Sequence, residues 1–372
     1  MNRTPLYEGH VAAGAKLVDF AGWEMPIQYS GVVDEYQTVR AAAGLFDVSH
    51  MGRLLVSGAG ALTFLQRVTS NDAAKLAVLE SHYSMVCNRQ GGIKDDIFVY
   101  RIKPQEYYLC VNASNREKIL SWLQEQLPGS ADAAIRDCSA EIAQLALQGP
   151  ASRAILSELG LSELSSLNPR HCLETTLLGA PSLITRTGYT GELGYELYVP
   201  ADRALGIWNE LLNRGKSAGL KPAGLGARDL LRLEMAYLLY GNDISEDTTP
   251  LEAGADWVVN FQKGDFIGKE VLTRQKERGL TRRLVAFELL QKAVPRHGFK
   301  ILSNSDAGSH SEGKEIGEVT SGNLSPLMQK GIGLGYVLPA FASVGTTISI
   351  DIRGKFVPAV VVKPPFYKRA RG

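Results

Sequence analysis

From residue 31 to 44 the stretch GVVDEYQTVRAAAG spaces its apolar positions at helical intervals, and its closing Gly44 suits a C-cap. The period then changes. LFDVSHMGRLLVSG reads as strand, GALTFLQRVT as helix, and YSMVCN, DIFVYRI and YYLCVN as further strands. SNREKILSWLQEQL returns to helical spacing, with Ser114 and Glu117 in capping-box register and an apolar stripe of Ile119, Leu120, Trp122, Leu123 and Leu127. AAIRDC and AQLALQG are expected to complete one antiparallel sheet with helices on one face.

A second block begins at Pro150, well placed for the first turn of a helix that ends at Gly160. SLITRT and GYELYVP flank the glycine-dense GYTGEL and predict a hairpin; the helices ADRALGIWNELLNRG and GARDLLRLEMAYLLYG follow. After Asn260 the text becomes short strands separated by glycine and proline: LVAFELL, GFKILSN, EIGEVTSG, GIGLGYVL, TTISIDI and FVPAVVV. That spacing predicts a small antiparallel barrel or sandwich, with the polar SNSDAGSHSEGKE as a mobile hairpin tip.

Length and composition sharpen the picture. A chain of 372 residues suggests two or three domains, and 45% hydrophobic against 21% charged residues allows a large core. A formal net charge of +1 argues against nucleic-acid binding by bulk electrostatics. No apolar run reaches membrane-spanning length, and the N-terminus lacks the apolar core of a secretory signal, so a cytoplasmic protein without membrane association is expected. Cys87, Cys110, Cys138 and Cys172 form no CxxC pair and read as buried reduced thiols. The six histidines contain no HxxxH, so no metal is expected.

The candidate chemistry centres on NRQGGIKDDIFVY. Gly91 and Gly92 suit a tight reversal, and the strand that follows opens with two acids. Alternation puts Asp96 on one face with Phe98 and Tyr100, and Asp95 on the other with Ile97 and Val99. The two are therefore not expected to point into one site. Either both solvate a hairpin end or one carboxylate is aimed at something specific. In GYTGELGYELYV, Glu196 interrupts an apolar strand, where a buried carboxylate needs a partner. Arg228 and Arg232 stand one turn apart on a helix; near its N-terminus Arg228 opposes the dipole, which favours a role beyond capping, an ion pair with Glu196 or Asp229 being the plainer reading. Asp47, Ser49 and His50 are neighbours on an extended chain and do not make a hydrolase triad; no GxSxG elbow or phosphate-cradling glycine loop is present.

Seven separated segments carry a family resemblance: TPLYEGHVAAGAKLVDFAGWEMPIQY, GLFDVSHMG, GGIKDDIFVY, RTGYTGELGYE, GLGARDLLRLE, YGNDISEDTTPLEAG and VTSGNLSPLMQKGIGLGYV. Together they resemble the aminomethyltransferase, or T protein, family of the glycine cleavage system, from about residue 4 to 368. The resemblance implies an α+β fold of three domains in a cloverleaf around a central folate-binding hole. Its expected boundaries are 1–52 with 139–243, then 53–138, then a C-terminal antiparallel β-barrel over 244–372. It implies tetrahydrofolate as one-carbon acceptor, aminomethyl-lipoylated H protein and the glycine cleavage complex as partners, and release of ammonia with formation of 5,10-methylenetetrahydrofolate. Carried across position by position, Asp96 is the essential carboxylate. Met51, Tyr83, Asn112, Tyr189, Glu196 and Arg228 match folate-site positions. Lys368 stands in PPFYKRA where some relatives have arginine. The same resemblance has rivals: relatives that assist iron–sulfur assembly carry a cysteine in KGCxxGQE, whereas this chain reads RTGYTGELG, and relatives that oxidise sarcosine or dimethylglycine need a flavin domain, for which no fingerprint is seen. A purely structural partner of H protein is a third reading.

Overall fold

The computed structural model describes residues 1–127, 132–303 and 313–369. Its chain divides into two units, Met1–Val86 with Asp95–Asp229 and Gln262–Phe266, and Cys87–Lys94 with Leu230–Phe261 and Ile267–Gly372.

The first unit holds two larger sheets. The six-stranded one runs, in spatial order, Cys172–Leu177, Ala180–Thr185, Gly194–Pro200, Ile142–Gln148, Ala43–Asp47 and Leu220–Pro222. All its pairings are antiparallel except the last, where Leu220–Pro222 lies parallel to Ala43–Asp47. One face of this sheet supplies Leu45, Leu145, Leu147, Tyr195 and Leu197 to an apolar core shared with Ile155 and Trp208 of the helices Ser152–Glu158 and Ala204–Gly215. The five-stranded sheet is ordered Glu80–Cys87, Ile93–Lys103, Glu106–Val111, Gly52–Ser57 and Ala134–Asp137. Tyr100, Tyr108 and Cys110 from this sheet meet Tyr198 and Cys172 from the other in one buried cluster.

In the second unit the strands Arg283–Leu289, Lys300–Ser303, Glu315–Ser325, Lys330–Val337, Thr347–Ile352 and Lys355–Val362 close into an antiparallel barrel. Its interior is filled by Val285, Phe287, Ile301, Val319, Ile348, Ile350 and Val357. These are the six strands expected from the glycine-punctuated text. The polar segment expected as a hairpin tip lies, over 304–312, outside the described residues.

Several local expectations are corrected. The 142–148 strand does not complete the sheet of Ala134–Asp137; it sits centrally in the six-stranded sheet, between Ala43–Asp47 and Gly194–Pro200. Its residues are buried on both faces, whereas Ala134–Asp137 is an alternating edge strand, and periodicity cannot assign either to a partner. Gly44 caps nothing: the helix is Val32–Ala41, and Gly44 lies inside Ala43–Asp47, where a Cβ would meet Val39 Cγ2 at 2.4 Å. The glycine is there for helix–strand contact. No capping box forms at Ser114, because the α-helix begins at Arg116 after a 3-10 turn and its N-cap residue Asn115 makes no side-chain cap. The helix Lys269–Arg278 and the hairpin Lys16–Phe20/Trp23–Gln28 were not expected.

Candidate active site

The turn before Ile93–Lys103 reverses through Gly91 at φ +81°, while Asn88 Oδ1 accepts the backbone N–H groups of Gln90 and Gly92. Gly92 is required for a different reason: a Cβ there would fall 1.8 Å from the carbonyl oxygen of Glu246. Burial then alternates as the strand pattern predicts. Asp95, Ile97 and Val99 are buried, while Asp96 and Phe98 are part-exposed on the face they share with Tyr100.

Asp96 is held from two sides. The Tyr83 hydroxyl donates to its Oδ2 at 2.9 Å, and Asn112 Nδ2 donates to its Oδ1 at 2.7 Å. Burial, then the charge of Asp96, pushes the Tyr83 hydroxyl well above its ordinary pKa, so the phenol keeps its proton and donates. Tyr83 lies on the neighbouring strand Glu80–Cys87, and Asn112 directly follows Glu106–Val111. The strand order of the sheet therefore brings them to Asp96 from either side.

Asp95 does not point wholly away from this arrangement, and here the face argument needs correction. Its Oδ2 accepts the Asn112 backbone N–H at 3.0 Å, and its Oδ1 accepts Asn112 Nδ2 at 2.8 Å and Asn115 Nδ2 at 2.6 Å. The Asn112 amide thus bridges the two acids, because Asn112 follows the end of the adjacent strand and its side chain reaches across the sheet edge. Burial, then the charge of Asp96, pushes Asp95 up to about 7 against the pull of its amide donors.

On the facing sheet, Glu196 shares a side with Tyr198, opposite the core residues Tyr195 and Leu197. It is buried but satisfied: Gln144 Nε2 donates to Oε1 at 3.2 Å, and the Thr187 hydroxyl donates to Oε2. Rings connect the two acidic positions. Tyr83 and Phe98 have centroids 5.7 Å apart, Phe98 stacks on Tyr100 at 5.9 Å, and Tyr100 meets Tyr198 edge-on at 5.8 Å. Met51 packs its side chain against this cluster.

Arg228 projects from the helix Leu225–Glu234, its guanidinium 4.9 Å from the Tyr189 ring centroid. Its Nη1 is buried and has no hydrogen-bond partner among the described residues. Burial lowers its pKa and the charge of Glu196 opposes that shift. His50 is also buried with Nδ1 unpartnered, and burial, with Arg228 and Arg53 nearby, takes it down to about 4 in spite of Asp47. The Asp47 carboxylate serves Thr4, His10 and the Ser49 backbone instead, so no triad is assembled. Arg53, which had no signal in the sequence beyond its place in a strand, is buried on the carbonyls of Ser49, Met51 and Ser139. The structure thus brings Asp96, Tyr83 and Asn112 together directly and ties Glu196 to them through aromatic rings. Lys368 belongs to the second unit and is exposed beyond the last barrel strand. Gln144, Thr187 and Asn115 escaped notice in the sequence because nothing in their local patterns marks them. Among the described residues no group of three His, Cys, Asp or Glu side chains is arranged to hold a metal.

An α+β unit with facing sheets and a separate six-stranded barrel defines the structural class. Residues 6–263 match the model of the GCVT N-terminal domain, and 282–368 match that of the glycine cleavage T-protein C-terminal barrel domain. The chain belongs to the glycine cleavage T-protein family. It is 46% identical over 99% of both chains to an aminomethyltransferase of Desulforamulus reducens. It is 47% identical to one of Halothermothrix orenii, over 98% of this chain and all of that one. The crystal structure of the glycine cleavage system aminomethyltransferase T from Bartonella henselae superposes with a TM-score of 0.91, at 35% identity and 98% coverage of each chain.

Proposed function

We propose that this chain transfers the one-carbon unit of S-aminomethyl-dihydrolipoyl H protein to tetrahydrofolate, releasing ammonia and leaving 5,10-methylenetetrahydrofolate and dihydrolipoyl H protein. The observation that carries this reading is the Asp96 carboxylate, held by Tyr83 and Asn112 at one end of an aromatic cluster whose other end carries Glu196.

The residues fit a reduced pterin. The flat ring has an edge of N–H donors that suits a buried carboxylate, which is the chemistry of Glu196, and a carbonyl that suits an unsatisfied buried donor, which is Arg228 Nη1. Tyr189, under the Arg228 guanidinium, and Met51 supply flat and apolar contact. Lys368 completes the proposed folate set on chemistry alone, an exposed ammonium suiting the acid groups of a folate tail.

In this reading Asp96 handles the proton that must move as ammonia departs, and its two donors keep the carboxylate fixed in orientation. A placed acid–base group is worth about 10² to 10⁴-fold in rate, and orientation of the reacting atoms contributes further. The carbon arrives already activated, so no covalent intermediate with the protein is needed. The basic segment Lys363, Lys368 and Arg369 is proposed to help dock an acidic H protein; Arg371, assigned with them, lies outside the described residues. Cytoplasmic residence is part of the same proposal, supported by four buried free thiols; no helix among the described residues is long and apolar enough to cross a membrane. So is the domain partition 1–52 with 139–243, 53–138 and 244–372; in its support the six-stranded sheet and the barrel lie within the first and third parts, and the five-stranded sheet lies within the second except for Gly52.

The test supplies aminomethylated H protein with and without tetrahydrofolate and measures ammonia and methylenetetrahydrofolate. Folate-dependent formation of both is expected. Folate bound without any product would sink the transferase reading in favour of a folate-binding module, and an absence of folate binding would leave only a structural partner.

A further inference from the structure

Asp95 is a buried acid, next to Asp96, for which the proposed reaction has no use. It accepts three hydrogen bonds from two asparagines, Asn112 just before a 3-10 turn and Asn115 at its end, at 3.0, 2.8 and 2.6 Å, and it is fully buried. A carboxyl group in such a place is costly, the more so with a second ionisable group, Asp96, beside it. The geometry of the Asn112 amide supplies a reason for the acid. Its Nδ2 reaches three acceptors, Asp95 Oδ1 at 2.8 Å, Asp96 Oδ1 at 2.7 Å and the Asp96 carbonyl at 3.1 Å. Oxygens of both acids accept from it, so the amide turns its NH2 end toward the pair. Asp96 by itself holds the amide from one side only. Asp95 holds the residue from the other, taking both its backbone N–H and its Nδ2.

We propose that Asp95 is a positioning residue for the transfer: its buried carboxyl group anchors the backbone and the amide of Asn112, which keeps Nδ2 within hydrogen-bond reach of Asp96. This rests on the reading of Asp96 as the group that handles the proton. The consequence for Asp96 is a carboxylate held in one rotation by the Tyr83 hydroxyl at Oδ2 and by Asn112 at Oδ1. Loss of Asp95 loosens Asn112, so its amide leaves Asp96 Oδ1 for part of the time. The fault then shows in the transfer rate at saturating folate rather than in folate occupancy.

The experiment is a double-mutant cycle on the full chain with aminomethylated H protein, read as kcat per folate-binding site. Asp95→Asn is expected to lower kcat about tenfold with the folate Kd moved less than about threefold, and Asn112→Ala to lower kcat by a similar factor. The double variant should be no slower than Asn112→Ala, because Asp95 acts through that amide. A merely structural Asp95 would lower the fraction of sites that bind folate and leave kcat per site intact. If Asp95→Asn costs its full factor again in the Asn112→Ala background, or costs nothing, the positioning role is overturned while the role of Asp96 stands. If Asp96→Asn keeps near wild-type turnover, both fall together. Asn115→Ala serves where Asp95→Asn does not fold: it loosens Asp95 without touching Asp96, and about a threefold or greater loss of kcat is expected. A full kcat for Asn115→Ala overturns the proposal.

Discussion

Two acidic positions on the facing sheets of the first unit are both surrounded by protein, and they are stabilised in different ways. At the start of Ile93–Lys103, Asp95 and Asp96 stand side by side and share one amide donor, so each raises the cost of charge on the other. On Gly194–Pro200, Glu196 is alone among apolar neighbours, with its own donors from Gln144 and Thr187 and the charge of Arg228 acting on the same region. The first arrangement is poised to exchange a proton, because two like charges in a small volume do not both persist comfortably. The second offers a fixed pattern for recognition. In the proposed reading the acid that handles the proton and the acid that holds the pterin edge sit on different sheets, with the Tyr83, Phe98, Tyr100 and Tyr198 rings between them.

The sharpest way to break this division is Asp96→Asn. The amide keeps the shape of the carboxylate and accepts from Tyr83 or Asn112 through its oxygen, but it cannot take a proton. Turnover is expected to fall about 10² to 10⁴-fold while folate still binds, measured by methylenetetrahydrofolate formation beside a folate titration. Retained turnover would make the two acidic positions equivalent in kind and remove the contrast.

How much of this could be read from the chain depends on the range of the interactions. The barrel was legible because each strand is a local pattern bounded by glycine or proline, and antiparallel neighbours close in order. The faces of Asp95 and Asp96 were legible for the same reason, period two being a local property. Sheet membership of Ile142–Gln148 was not, since its burial comes from strands nearly a hundred residues before it and fifty after it. Nor was the bridge at Asn112: Asn115 looks like an ordinary helix-start residue, and only the fold shows that its amide is taken by Asp95 instead of capping the helix. Glu196 announced itself as an acid in an apolar strand, but its partners Gln144 and Thr187 carry no local signal.

A second, smaller effect sharpens the contrast through pH. The folded pKa of Asp95, about 7, lies above the ordinary carboxylate value near 4, so its contribution to stability is complete below pH ~4 and is lost as pH rises toward 7. His50, buried, and His82, half-buried, are held down to about 4 and act with the opposite sign: their contribution is present above pH ~6.5 and is lost as pH falls toward 4. Asp95→Asn removes only the falling term. Its unfolding free energy relative to wild type should therefore increase between pH 4.5 and 7, with a slope no steeper than about 1.4 kcal/mol per pH unit, that of one proton. Urea unfolding of the two proteins across this range measures it. Parallel curves would mean that Asp95 stays ionised throughout and that the crowding of the two acids has no energetic consequence.

The smallest effect belongs to the recognition side. Removing Glu196 leaves Gln144 and Thr187 without their acceptor and takes away the charge that offsets burial of Arg228; removing Arg228 deletes the donor whose Nη1 has no partner among the described residues. A polar group lost from a site built to hydrogen-bond its ligand costs about 1.5–3 kcal/mol when the partner is charged, or about 10- to 100-fold in affinity. Glu196→Ala and Arg228→Ala are each expected to weaken tetrahydrofolate binding by that factor. Turnover at saturating folate should fall far less than in Asp96→Asn, because these side chains hold the ring and do not handle the proton. Titrations of both variants that matched wild type would refute the clamp, and a collapse of kcat with unchanged affinity would move Glu196 into the chemistry and join the two acidic positions into one.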